Sequence, residues 1–112
     1  MQIKSINYID ADDIRELTGK HWSDFEFAQM AENDSYVRLD CSDAGLEELY
    51  ESLDWEVGKG NEPRPEDYDD PEEYEWKSKH CYATRLRNQI ALVEILRKRY
   101  GFMFEILVWV SW

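Results

Sequence analysis

Residues 82–112 read YATRLRNQIALVEILRKRYGFMFEILVWVSW, and two hydrophobic periods meet in this stretch at a single glycine. Tyr82, Leu86, Ile90, Val93, Leu96 and Tyr100 recur at steps of three and four, the spacing that lines up side chains on one face of an α-helix. Gly101 stands where a left-handed residue ends such a helix. Beyond it, Phe102, Phe104, Ile106, Val108, Val110 and Trp112 share one face of a strand, while Met103, Leu107 and Trp109 make the other face apolar too. That pattern reads as a central strand buried on both sides. A helix feeding a central strand places the chain among folds that lay helices on a sheet.

Working outward, residues 3–9 are short and rich in β-branched and aromatic types, and predict a strand. A helix over Ala11–Thr18 follows: Asp10 caps it, Asp13 stands at its third position, Ile9 packs on Ile14 as a staple and Gly19 stops it. Phe25, Phe27 and, less regularly, Met30 alternate with polar neighbours, and residues 36–41 alternate again after the turn chemistry of Asn33 and Asp34, which predicts a hairpin. Ser42 caps a helix whose buried face is Leu46, Leu49, Tyr50 and Leu53. Gly58, Gly60, Pro63 and Pro65 mark an irregular segment, with residues 57–75 read as a flexible acidic loop, and Pro71 opens one long last helix. The expectation is a single α+β domain spanning residues 1–112. It is a mainly antiparallel sheet of about four strands with three helices, in the order β-α-β-β-α-α-β.

Twenty-five acids against thirteen bases give a net charge of −12, which repels phosphate backbones and anionic membranes and favours a basic protein as partner. The charge is unevenly spread. Residues 10–75 hold 23 acids and five bases, a balance of −18, whereas residues 76–112 hold seven bases and two acids. Glu66, Asp67, Asp69, Asp70, Glu72, Glu73 and Glu75 fall within ten positions, interleaved with Tyr68 and Tyr74 and followed by Trp76. Such a run is commonly a solvated loop, and acids at a helix start also suit the macrodipole. The aromatic rings add contact area for a partner. Lys77, Lys79, Arg85, Arg87, Arg97, Lys98 and Arg99 are expected to pair with the domain's own acids.

Few residues suggest chemistry. His21, His80, Cys41 and Cys81 are the only candidates for a thiol–imidazole pair or a soft metal site, and adjacent His80 and Cys81 point about 100° apart on a helix. Asp67, Asp69 and Asp70 lack the glycine and the terminal bidentate carboxylate of an EF-hand loop. The sequence shows no phosphate-cradling loop, nucleophile elbow or zinc-protease motif. No cofactor and no catalytic residue is expected. Two distant cysteines and the absence of a long apolar run suggest a cytoplasmic protein, in the host cytoplasm if phage-encoded.

Carboxylates three or four residues apart on a helix lie ~5–6 Å apart, against ~3.4 Å of axis per phosphate on a DNA strand. Glu47, Glu51 and Asp54, with Glu48 beside them, are therefore candidates for a rail that imitates nucleic acid. Asp10, Asp12, Asp13 and Glu16 join them, together with the acids of the run between residues 66 and 75. In composition the chain resembles the small acidic inhibitors that phages and mobile elements direct against restriction or CRISPR nucleases. That resemblance implies a non-enzymatic inhibitor plugging the nucleic-acid-binding surface of a basic target, a nuclease or defence complex. An immunity protein or antitoxin against a cognate toxin uses the same physics. A homo-oligomeric adaptor, with Leu107, Trp109 and Trp112 at the subunit contact, is the third expectation.

Overall fold

The computed structural model describes residues 8–112. Its sheet has three strands: β1 (Tyr8–Asp10), β2 (Ser35–Asp40) and β3 (Glu105–Val110), in the spatial order β1-β3-β2. β3 is central, as its apolar run predicts. It pairs in parallel with β1 and antiparallel with β2, so the sheet is mixed. Four helices accompany it: α1 (Ala11–Thr18), α2 (Asp43–Gly58), α3 (Pro71–His80) and α4 (Tyr82–Tyr100). The α+β class holds, while the sequence-based expectation of four strands and three helices is corrected at two places.

The first correction is the hairpin. Trp22–Asp24 and Glu26–Met30 form two 3-10 turns, joined at an extended Phe25 with φ −112° and ψ 158°. Phe25 and Phe27 are both buried and stack 5.6 Å apart. Two rings aimed inward from consecutive tight turns leave the same trace in sequence as a strand. The backbone is satisfied by α4 instead of a ladder: Phe27 N–H donates to Gln89 Oε1 at 2.7 Å, and Asn88 Nδ2 donates to the Asp24 carbonyl at 2.8 Å.

The second correction splits the long last helix at Cys81, whose extended backbone (φ −73°, ψ 159°) ends α3 and starts α4. The Ser78 carbonyl freed by that break accepts from the Thr84 hydroxyl at 2.7 Å and from the Cys81 thiol at 3.2 Å. Between Gly58 and Pro71, Pro65–Asp67 forms a 3-10 turn. Of the strand expected over residues 3–9, residues 3–7 lie outside the described residues.

The expected buried face of α2 is looser than its phase suggests, with Leu46, Leu49 and Leu53 half-buried and Tyr50 44% exposed, but the caps act as read. Asp10 and Asp13 form a reciprocal capping box: Asp13 N–H donates to Asp10 Oδ1 at 2.9 Å, and Asp10 N–H to Asp13 Oδ2 at 3.1 Å. Ile9 and Ile14 on either side of it are fully buried, and Gly19 ends α1 at φ 73°. Ser42 caps α2 by accepting from Gly45 N–H at 3.1 Å.

The sheet has one buried face. Ile9, Val108 and Val37 align in one cross-strand row, flanked by Leu39 beside Ile106, and all pack with Ile14, Phe25, Phe27, Leu92, Val93 and Leu96. Burying one such side chain stabilises by roughly 1.5–3 kcal/mol, so this layer dominates the fold. On the opposite face Leu107 and Trp109 are only half-buried and Tyr36 is 48% exposed, which corrects the expectation of a strand buried on both sides. Trp112 leaves the strand, is 65% exposed and stacks on Trp22 with ring centres 5.5 Å apart.

Candidate functional site

α4 organises the charged surface. α1, α2 and α3 each pack on it, and α2 runs antiparallel to it. Arg97, only 19% exposed, reaches from the end of α4 to the junction of β2 and α2, donating to the Cys41 carbonyl at 2.7 Å and to Asp43 Oδ1 at 2.5 Å. Near the start of α4, Arg87 meets Glu62 at 2.6 Å, which holds Glu62 below the usual carboxylate range. Two bases of the final helix are thus absorbed by acids of the central segment, while Arg38 pairs with Glu105 across β2 and β3 at 3.5 Å.

The sequence-nominated acids divide into three groups. Asp10 and Asp13 serve α1: each accepts from the other's backbone, and Asp13 is 5% exposed. Asp12 and Glu16 are exposed on the same helix. Glu47, Glu51 and Asp54 follow one stripe of α2 and are exposed, as is Glu48. Glu66 and Asp67 lie in the 3-10 turn, with Asp69 after it. Asp70 caps α3 by accepting from Glu72 N–H at 3.0 Å, and Glu72, Glu73 and Glu75 follow on exposed positions of that helix. Among the described residues, no Lys or Arg closes within ion-pair distance of the α2 stripe or of the acids in the 3-10 turn and α3. The three groups radiate from α4, and α1, α2 and α3 lie against that helix more than against one another.

Several residues that line a cleft carry no strong sequence signal. Glu26 opens a 3-10 turn and Asp40 ends β2, yet both line a cleft of about 190 Å³ with Glu48, Tyr82 and Gln89. Hydrogen bonds from the Ser42 hydroxyl and backbone N–H hold Asp40 below the usual carboxylate range. Burial, followed by the charges of Glu26 and Glu56, raises the Tyr82 phenol. Gln89 is 6% exposed and donates to Glu26 at 3.3 Å while accepting from Phe27.

The thiols and imidazoles contact other groups. Cys41 is fully buried, and that burial, with the Asp40 charge, pushes its thiol up to about 11. Cys81 faces Ser78 and Thr84. His21 Nδ1 accepts from Ser23 N–H at 3.2 Å, and His80 lies 4.6 Å from the Trp76 ring. Among the described residues, no three His, Cys, Asp or Glu side chains come close enough together to hold a metal ion. No helix among them is long and apolar enough to cross a membrane.

No known protein-family model, curated protein or solved structure matches this chain, and the site is read from its own geometry.

Proposed function

We propose that the chain is a non-enzymatic acidic inhibitor that binds the basic, nucleic-acid-binding surface of a target protein such as a nuclease or defence complex. One observation carries the reading: Glu47, Glu51 and Asp54 form an exposed stripe on the 16-residue helix α2, without a basic partner among the described residues. At 1.5 Å of rise per residue the stripe sets charges ~6 Å and ~4.5 Å apart along the axis, within about a factor of two of the ~3.4 Å per phosphate on one DNA strand. A helix holds these charges in place, so a basic groove meets them preorganised. The acids of α3 extend the same field, and unlike charges speed encounter.

The test is capture from host lysate at low and high ionic strength, with the chain and its E47K/E51K/D54K variant as baits. A target that elutes with salt, escapes the variant and is released by duplex DNA supports the proposal. Capture unchanged by salt and by the triple reversal refutes it. An immunity protein or antitoxin is the same physics aimed at one cosynthesised toxin, and a toxin gene beside this one separates the two.

A second reading, self-association as a homo-oligomeric adaptor, is favoured by the open sheet face. There Tyr36 lies 4.9 Å from Trp109 and 6.0 Å from Tyr8, with Leu107 half-buried beside them. Aromatic surface of this kind is enriched at subunit contacts. Light scattering across a concentration series decides it: a dimer lost in W109A supports this reading, and a strict monomer removes it.

A further inference from the structure

Two clefts follow the seam between α2 and α4. The first, of about 190 Å³, has Glu26, Asp40 and Glu48 in its walls and Gln89 at its base. The second, of about 350 Å³, is bounded by Glu51, Trp55, Glu56 and Lys59. Ser52 and Tyr82 line both, so they form one groove. Five carboxylates border it against two bases, Arg38 and Lys59, and Arg38 is already paired with Glu105 at 3.5 Å.

Three features set this groove apart from the convex acidic surface. Two of its carboxylates are anchored: Glu26 accepts from buried Gln89, and Asp40 accepts from Ser42 N–H at 2.9 Å. The carboxylates of the groove come from three separate elements and, among the described residues, are not gathered closely enough to hold one metal ion, so a ligand with several donors suits them better. Trp55 is 69% exposed, and the Lys59 ammonium already lies 5.3 Å from its ring centre, so this ring face takes a cation.

We propose that the groove seats an arginine-rich segment of the partner, with one guanidinium between Glu26, Asp40 and Glu48 and a second stacked on Trp55 in place of Lys59. This rests on the reading that the partner is basic, and it moves the anchor point from the exposed stripe of α2 to the α2–α4 seam.

The test is a titration of the full ¹⁵N-labelled chain with tetra-arginine amide at low and moderate salt, followed by NMR. Saturable shifts should concentrate at the Gly45 and Ser52 amides and the Trp55 indole. E26Q/E48Q should weaken binding about tenfold, W55A about threefold or more, and E72Q/E73Q/E75Q less than about twofold. Because Trp55 is mostly exposed, W55A keeps the fold and leaves the test readable if the double variant does not. Shifts of equal size along α3, or loss of binding in the α3 variant but not in the groove variants, overturn the groove and leave the basic-partner reading standing. Absence of any saturable response overturns the groove too, while capture of a salt-eluted target by the intact chain decides the wider reading separately.

Discussion

Replacing Gly45 with alanine tests the packing of α2 against the sheet, because two effects of opposite sign compete there. Helix propensity alone favours alanine over glycine by roughly 0.5–1 kcal/mol in a helix interior. A Cβ at Gly45, however, would lie 2.4 Å from Asp40 Cγ, 2.6 Å from the Asp40 carbonyl oxygen and 2.7 Å from Asp40 Cβ. Carbon contacts settle near ~3.5–4.0 Å, so α2 or the end of β2 must move by about 1 Å. Rotating the Asp40 carboxylate away relieves only the first contact, because the carbonyl and Cβ belong to the strand. Overpacking of this kind costs about 1–3 kcal/mol, and displacing Asp40 also strains its bond from Ser42 N–H. The net expectation for G45A is a loss of about 2 kcal/mol. Gly58 is the internal control: nothing lies within 4 Å of a Cβ there and its φ is not positive, so G58A should gain a few tenths of a kcal/mol, up to about 1. Urea unfolding followed by tryptophan fluorescence measures both. A G45A protein as stable as the parent, with an unchanged denaturant slope, would refute the close approach of α2 to β2.

Four further outcomes follow from buried and paired groups. Q89L leaves the Phe27 N–H without its acceptor, and urea unfolding should show a loss of about 1–3 kcal/mol. Alkylation by iodoacetamide, read by mass spectrometry, should modify Cys81 well before buried Cys41. The raised Cys41 thiol also contributes stability that is complete below pH 9.0 and is lost as pH rises toward about 11, so C41A should flatten alkaline unfolding in that window. Glu62, lowered by Arg87, stabilises above the ordinary carboxylate range and loses that contribution as pH falls through its folded value. R87A should remove this slope at a cost below about 1 kcal/mol, the pair being partly exposed.

How far the fold was legible depends on whether a signal was local. The capping box of α1, the glycines ending α1 and α4, and the period of two in β3 are written in neighbouring residues; the caps and helix ends stand where those residues place them, while the strand keeps only residues 105–110 of the apolar run 102–112. The turns at Trp22–Asp24 and Glu26–Met30 were illegible because the acceptor of the Phe27 N–H is Gln89, 62 positions away. Helix-compatible residues run through the break at Cys81, where only the spacing of Ser78 and Thr84 hints at the carbonyl their contact satisfies. Exposure of the α2 stripe followed from its helical phase. The groove did not, since Glu26, Asp40 and Glu48 meet only after three elements fold together.

Whether the acidic face occupies a phosphate-binding groove is decided most directly by competition on the captured target. Labelled duplex DNA is bound to the target and the chain is titrated in, with E47K/E51K/D54K as control. Mutually exclusive binding is expected, weakened by at least about tenfold in the variant, since each unit charge acting at 4 Å in water is worth ~1 kcal/mol. A ternary complex of target, DNA and chain, or displacement equally strong in the variant, would contradict it.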